Sequence, residues 1–325
     1  MYKILYCGVN NNPHDKRFIN ALLELGTVET YFQSLNSVPN LELPKYDAIV
    51  VGPLTVSLDF LNPELKLPII GMSHAFDVNE TNRNSTEYES LVVNFGKFSR
   101  IICDNPYIKE VIENEFRPKA TIDLIPYGCD LSELVKLKPD LGGGIRLLSM
   151  RNWTTIHSNN KIIEALTILS NKEFIENAIF IGDGPELLQG ISSFQHSESR
   201  IPTEFRGFVG SHALLLAIAE SNVYVSSSRS DGSSVSLMEA MAAGLIPCVT
   251  DHESNLRIIS NGVNGFVYKN QDAKALADTL VRIANLSEES RNEISRNSRN
   301  YAIQKFDWQS NRVLFQKSIL EALNA

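Results

Sequence analysis

Residues 223–244, VYVSSSRSDGSSVSLMEAMAAG, contain the pattern that decides the fold class. An apolar run typical of a buried strand ends at Ser226, a small polar loop follows, and an alanine-rich helix is predicted to begin near Ser233 or Ser234. Both serines are good N-cap residues. The free N–H groups of the first helical turn and the helix dipole would then form an anion site at the carboxyl end of the strand.

Two acidic residues bracket this helix start. Asp231 precedes the helix and Glu239 lies eight positions further on, which at about 1.5 Å per residue separates them by on the order of 10 Å. They are too far apart to share one proton. The spacing fits a ligand with hydroxyls at both ends and phosphates between them, which describes a nucleotide sugar. Because apolar residues flank Glu239 on both sides, a ligand role is favoured over a solvated helix position.

The rest of the chain repeats the same alternation of short apolar strands and helices, which is typical of a parallel sheet covered on both faces. The segment 136–144, KLKPDLGGG, combines a proline with three glycines and is the predicted linker. We therefore expect an α/β protein with two Rossmann-like domains, 1–140 and 141–305. A cleft between them would hold the ligand at the strand ends. Residues 306–325 form a last helix expected to pack back on the first domain.

Composition narrows the class of protein. The chain has 325 residues with 43% hydrophobic residues and a formal net charge of −8, which suits about two globular domains and disfavours nucleic acid as a partner. Four cysteines without C-x-x-C spacing indicate neither a disulfide framework nor a zinc site. The sequence contains no D-x-D and no H-E-x-x-H, so no metal site is predicted. It also contains no nucleophile elbow and no P-loop, which disfavours a hydrolase and a kinase. Without a run of about 18 apolar residues, we expect a cytoplasmic protein with no transmembrane segment, able to contact the inner face of a membrane peripherally.

A family resemblance is carried by several ordered motifs. Residues 228–251, followed by NGVNGFVY at 261–268, resemble the E-x(7)-E region of retaining glycosyltransferases of family four. IGDGPE at 181–186, the later FRGFV and FDW, and IPYGCDLSEL ahead of the linker extend the resemblance. The first domain resembles the family in its alternation and in GMSHAFDV. The resemblance implies the GT-B fold, with two Rossmann-like α/β/α domains facing each other across a cleft, and a nucleotide diphosphate sugar as donor.

The resemblance also implies roles for the residues around the helix start. Glu239 matches the glutamate that holds the donor ribose. Asp231 stands where the family usually has a glutamate against the donor sugar, and it is one methylene shorter. The backbone N–H groups that face the sugar and diphosphate would come from Ser233, Ser234 and Val235.

The predicted site has one cationic side chain fewer than is usual in the family. Arg151 matches the phosphate arginine, and a guanidinium fork suits a diphosphate. Five residues later the family usually has a lysine, whereas this chain has Ile156 followed by His157. The resemblance leaves open whether His157 or Lys161 supplies the missing charge.

Four further segments are assigned to the site by the resemblance. His74 matches the histidine beside the donor sugar. Gly8 ends the first strand, in a loop shorter than the family's. Gly182 and Gly184 permit close backbone approach after another strand, and Gly207 lies in the segment that receives the nucleobase.

The leading interpretation is a retaining, metal-independent glycosyltransferase that moves a sugar to an acceptor hydroxyl and needs no separate cofactor. The acceptor would be a glycan, a lipid-linked glycan or a small molecule. The alternative is a catalytically weak GT-B protein that serves as a binding or regulatory partner of another transferase. A nucleotide-sugar epimerase is disfavoured, because its extra acidic and histidine groups have no counterpart here.

Overall fold

The computed structural model describes residues 1–9, 13–33, 43–58 and 66–325. Its strands are β1 (Tyr2–Gly8), β2 (Gly26–Phe32), β3 (Ala48–Val51), β4 (Ile69–Met72), β5 (Arg100–Cys103), β6 (Thr121–Leu124), β7 (Ile145–Ser149), β8 (Ile175–Phe180), β9 (Thr203–Phe205), β10 (Val223–Ser226), β11 (Ile246–Thr250) and β12 (Phe266–Tyr268). Its α-helices are α1 (Pro13–Leu23), α2 (Phe76–Asn79), α3 (Thr86–Phe95), α4 (Pro106–Val111), α5 (Asn160–Ile168), α6 (Leu187–Gln195), α7 (Ser211–Glu220), α8 (Val235–Ala243), α9 (Glu253–Leu256), α10 (Ala273–Ala284), α11 (Glu288–Lys305) and α12 (Trp308–Leu323).

The chain forms two compact units. One comprises Met1–Tyr127 together with Gln309–Ala325, and the other comprises Gly128–Trp308. Each unit contains a six-stranded sheet, in the orders β2-β1-β3-β4-β5-β6 and β12-β11-β10-β7-β8-β9. Every strand pair in both sheets is parallel. The predicted α/β class is confirmed.

The first unit is built around strands that are apolar on both faces. All four residues of β3 and all four of β4 are buried, as expected for strands covered by helices on both sides. The C-terminal helix α12 also belongs to this unit. Its Phe315 packs against Phe18 with ring centroids 5.5 Å apart, and its Ser318 donates to Asp123 at 2.6 Å.

In the second unit, β10 and α8 follow the predicted pattern closely. The strand ends at Ser226, and α8 begins at Val235 with Ser234 as its N-cap, the side chain of which accepts from the Leu237 N–H. The helix ends at Gly244, which adopts a left-handed φ of 84° that glycine tolerates best.

The boundary between the units differs from the expected position between residues 140 and 141. Residues 128–140 belong to the second unit, because arginines of α11 hold the segment there. Arg299 donates to the carbonyls of Val135 at 3.0 Å and Leu137 at 2.6 Å. Arg291 donates to the carbonyl of Gly143 at 2.8 Å. The proline and glycine content of 136–144 therefore marks a pinned surface segment and not the crossing between units.

The four cysteines are buried free thiols. None of the described helices is both long enough and apolar enough to cross a lipid bilayer.

Candidate functional site

Arg151 follows β7 and brings together the loop after β10 and the start of α8. Its Nη2 forms an ion pair with Asp231 Oδ2 at 2.5 Å. Its Nη1 donates to Ser234 Oγ at 2.6 Å and to Ser236 Oγ at 3.2 Å. The Arg151 side chain is only 10% exposed, so a cation is held at the N-terminus of a buried helix.

The two residues that could replace the family lysine lie in different surroundings. Arg151 Nη2 lies 3.0 Å from His157 Nδ1, and since a guanidinium can only donate, this contact requires an unprotonated Nδ1. Burial, followed by the nearby Arg151 charge, lowers the pKa of His157 to about 4. Lys161 instead pairs with Glu164 at 2.8 Å within α5. His157 therefore shares the Arg151 cluster as a neutral group, and Lys161 is engaged elsewhere.

The first turn of α8 forms a chain of hydroxyl contacts below Arg151. Ser234 Oγ lies 3.1 Å from Ser236 Oγ, which lies 2.9 Å from the Tyr224 hydroxyl. Ser233 and Val235 flank the N-cap, and Val235 packs on the apolar core beneath the helix. Sequence reasoning missed Ser236, although its place one residue into the predicted helix was a usable signal.

Glu239 lies one turn further along α8 in an apolar setting. Its neighbours Met238 and Ala240 are buried, and burial raises the pKa of the Glu239 carboxyl to about 7. Within the described residues no side chain or backbone group pairs with this carboxylate. Glu239 itself is half-buried, and a carboxyl group with a raised pKa of this kind is a recognised mark of a functional site.

Three glycines shape the loops beside Arg151. A Cβ on Gly182 would lie 2.4 Å from the Arg151 carbonyl oxygen, and one on Gly184 would lie 2.4 Å from that of Trp153. The close approach expected at these glycines is therefore an approach to the chain's own backbone, which supports the Arg151 loop. Gly207 has a φ of 62° and open space where a Cβ would stand, and its carbonyl accepts from Gly182 N at 2.8 Å.

In the first unit, His74 follows β4 and is half-buried. Its ring meets Tyr127 edge-on with centroids 6.0 Å apart, and its backbone N–H donates to both oxygens of Asp77, at 3.1 and 3.2 Å. Sequence reasoning missed Asp77, although it lies within the quoted GMSHAFDV segment. Gly8 ends β1 against the Phe32 ring, while residues 10–12 of its loop lie outside the described residues.

The described residues hold no group of three or more His, Cys, Asp or Glu side chains arranged to bind a metal ion.

Comparison with known proteins identifies the family that the segment around Arg151 and α8 resembles. Residues 149–301 match the family model of glycosyl transferases group 1, and this segment contains Arg151, Asp231 and Glu239. The chain thus carries a group 1 glycosyltransferase domain. Over 259 residues it is 23% identical to the Escherichia coli UDP-Gal:alpha-D-GlcNAc-diphosphoundecaprenol alpha-1,3-galactosyltransferase. That alignment covers 74% of this chain and 65% of the E. coli protein, so the chain spans less than two thirds of that relative's length.

Solved structures agree on the fold. HepE of Anabaena, in complex with UDP-glucose, is 16% identical with a TM-score of 0.76 over 99% of this chain and 100% of that chain. Sucrose-phosphate synthase of Thermosynechococcus elongatus is 14% identical with a TM-score of 0.80 over 99% of both chains. The fold is that of the GT-B glycosyltransferases.

Proposed function

We propose that the chain is a retaining glycosyltransferase that transfers a sugar from a nucleotide diphosphate sugar to an acceptor hydroxyl without a metal ion. One observation carries the proposal. The Arg151 side chain, from the loop after β7, contacts the N-terminus of α8, and one turn later the helix carries Glu239, a half-buried carboxylate with no partner among the described residues. A receptor for phosphate and a receptor for hydroxyl groups thus lie along one helix.

The roles follow from the chemistry of each group. Arg151 and the free N–H groups at the start of α8 would hold the diphosphate and stabilise the charge that develops as it leaves. Glu239 would accept the two ribose hydroxyls. Asp231 would face the donor sugar, and His74 of the first unit would act on the same sugar. Gly207 would border the nucleobase.

The nature of the donor and acceptor is supported by the similar proteins. HepE is described in complex with UDP-glucose, which favours UDP as the nucleotide. The E. coli relative is named for a lipid diphosphate acceptor, which favours a lipid-linked glycan as acceptor and a peripheral position at the inner face of the membrane.

A second candidate function rests on the same cluster. In the ligand-free arrangement the Arg151 guanidinium is already paired with Asp231, and His157 adds no positive charge. A protein in which this ion pair persists would bind nucleotides weakly and would serve as a partner of another transferase. Turnover distinguishes the two, because an active transferase releases some donor sugar to water.

Glu239→Ala tests the proposal directly. We expect UDP affinity to fall by about 10- to 150-fold, since hydrogen bonds to a charged group contribute roughly 1.5 to 3 kcal/mol. Calorimetric titration measures this change. The melting temperature of the variant should not fall, because the native carboxylate is half-buried and has no partner among the described residues.

Asp278→Ala is the matched control, since Asp278 is an exposed carboxylate of α10 that pairs with Lys274 away from the proposed site. Its UDP affinity should equal that of the wild type. An unchanged affinity in a folded Glu239→Ala variant would contradict the proposed donor site.

A further inference from the structure

The loop after β4 contains a strained turn at His74. Ala75 has φ 67° and ψ −49°, and the Phe76 N–H donates across it to the His74 carbonyl at 2.9 Å. This is a γ-turn with positive φ at its central residue, a conformation that is rare and strained for an L-amino acid. Such a turn persists only where surrounding contacts enforce it.

The carboxylate of Asp77 supplies those contacts. Asp77 is fully buried. Its Oδ1 accepts from Ser73 Oγ at 2.8 Å and from His74 N at 3.1 Å, and its Oδ2 accepts from Leu54 N at 2.8 Å. One side chain therefore ties the His74 turn to the loop that follows β3.

Neighbouring groups complete this arrangement. Ser73 Oγ accepts from Ala75 N at 3.1 Å, and the Tyr127 hydroxyl donates to the Ser73 carbonyl at 2.7 Å. The Tyr127 and Phe18 rings pack against the His74 imidazole, with centroids 6.0 and 6.4 Å away. The backbone of His74 is thus set by hydrogen bonds and its ring by aromatic packing.

Holding a loop with a buried carboxylate lowers the stability of the fold, because the ionised group loses its hydration. Burial raises the pKa of Asp77 to about 6 even though several donors face it, so the ionised form that accepts all these bonds is held at the expense of stability. A strained turn and a buried charge at the same histidine indicate that its exact placement matters.

We propose that Asp77 is a positioning residue, which holds the strained turn so that the His74 imidazole is fixed for the transfer step. The inference rests on the proposed function, in which His74 acts on the donor sugar. Asp77 itself would touch neither donor nor acceptor.

The test is a set of double-mutant cycles. Asp77→Asn and Ala75→Gly are each made in the wild type and in His74→Ala. kcat and KM are measured for hydrolysis of UDP-glucose, UDP-galactose or UDP-N-acetylglucosamine, whichever turns over fastest. Asp77→Asn should lower kcat by about 10- to 100-fold, the range expected for misplacing a reacting group by about 1 Å, with little change in KM. In His74→Ala the same substitution should lower kcat by less than about twofold, because its effect acts through His74.

Ala75→Gly is a second variant of the same turn, which can be measured if Asp77→Asn folds poorly. Glycine removes the steric cost of the positive φ and frees the main chain, so kcat should fall several-fold in the wild type and not in His74→Ala. Asp123→Asn, which disturbs a partly buried ion pair with Arg100 elsewhere in the unit, controls for general loss of stability and should leave kcat unchanged.

The outcomes separate the two proposals. Equal losses in the wild type and in His74→Ala would show that Asp77 is merely structural and would overturn the inference. An unchanged kcat in His74→Ala would also overturn it, while wild-type turnover would leave the glycosyltransferase proposal standing. Absence of turnover with every donor would overturn both.

Discussion

Arg151 holds four side chains of the second unit around the start of α8. It contacts Asp231, His157, Ser234 and Ser236. Removing one partner of a buried ion pair costs far more than the pair contributes, because the other charge is left unpaired. In the proposed donor complex, the diphosphate would take the place of Asp231 on the guanidinium, which would release that carboxylate for the sugar.

At the scale of single residues, we expect substitutions of Arg151 and His157 to differ sharply in their effect on donor turnover. Arg151→Ala should reduce donor turnover by about 100- to 1000-fold, the usual effect of removing a preorganised donor to developing charge. Arg151→Lys should retain part of the activity, because it keeps the charge and loses the fork. His157→Ala should have a small effect, and the pH profile between 6 and 8 should be the same with and without the imidazole. Steady-state turnover of the donor measures all three.

A defined pH dependence would contradict the expectation that His157 acts as a neutral group. If activity falls as the pH rises through about 6.5 to 7.5 and His157→Ala abolishes that fall, then His157 carries a charge at the diphosphate. The low pKa of the ligand-free histidine would then be reversed by the bound donor. Comparable damage from Arg151→Ala and His157→Ala would lead to the same conclusion.

At the scale of elements, helix α8 carries much of the proposed donor site, and its apolar surroundings destabilise the ionised form of Glu239. The helix is buried along most of its length, so a carboxylate within it loses hydration. Burial raises the pKa of Glu239 from 4.5 to about 7. The stability that the neutral carboxyl contributes is therefore fully present below about pH 4.5 and is lost as the pH rises through about 7.

Donor binding should have the opposite pH dependence. Ribose hydroxyls donate to the carboxylate and favour its ionised form, so affinity for UDP-glucose should fall by about tenfold as the pH falls from 8 to 6. UDP-glucose is the suitable probe, since its diphosphate does not titrate in this range. Calorimetry at pH 6, 7 and 8 measures the effect.

Glu239→Gln is the control, because an amide keeps the size of the side chain and does not titrate. Its affinity should be low and independent of pH. A wild-type affinity that is flat between pH 6 and 8 would mean that the ionised Glu239 does not receive the ribose.

At the scale of the whole molecule, the positive charge that would bind an anionic donor has to come from a few groups at the proposed site. The chain carries a formal net charge of −8, so its average field does not attract an anionic donor. The proposed anion site instead consists of one arginine and the N-terminus of one helix. This suits a diphosphate that is held by fixed donors.

The matching prediction concerns metal removal. Donor turnover should be unchanged after dialysis against excess EDTA, because Arg151 and the α8 N–H groups are expected to bear the diphosphate charge. The assay is the rate of UDP release with and without chelator. Loss of activity that magnesium or manganese restores would show that a metal ion shares this charge.

Several features of the fold could be read from the sequence because their signals are local. Two-sided apolar runs mark β3 and β4, and Ser234 and Gly244 mark the ends of α8. Strand β2 carries no such signal, since its GTVETYF sequence is half-exposed at the edge of the sheet and lacks a continuous apolar run. The unit boundary was misplaced for another reason, because Arg299 acts on the carbonyl of Val135 from 164 positions away.

For the proposed site, the sequence by itself determined which candidate side chains follow a strand or begin a helix, since strand ends and helix caps depend on a few adjacent residues. Only the tertiary structure decided their chemical state. Arg151 meets Asp231 across 80 positions, and burial, followed by the nearby Arg151 charge, keeps His157 neutral. Glu239 is left half-buried without a counter-charge from the described residues, and Asp77 reaches Leu54 to hold the His74 turn. The physical reason is that desolvation and hydrogen bonding depend on which groups surround an atom in space, and distant parts of the chain supply those groups.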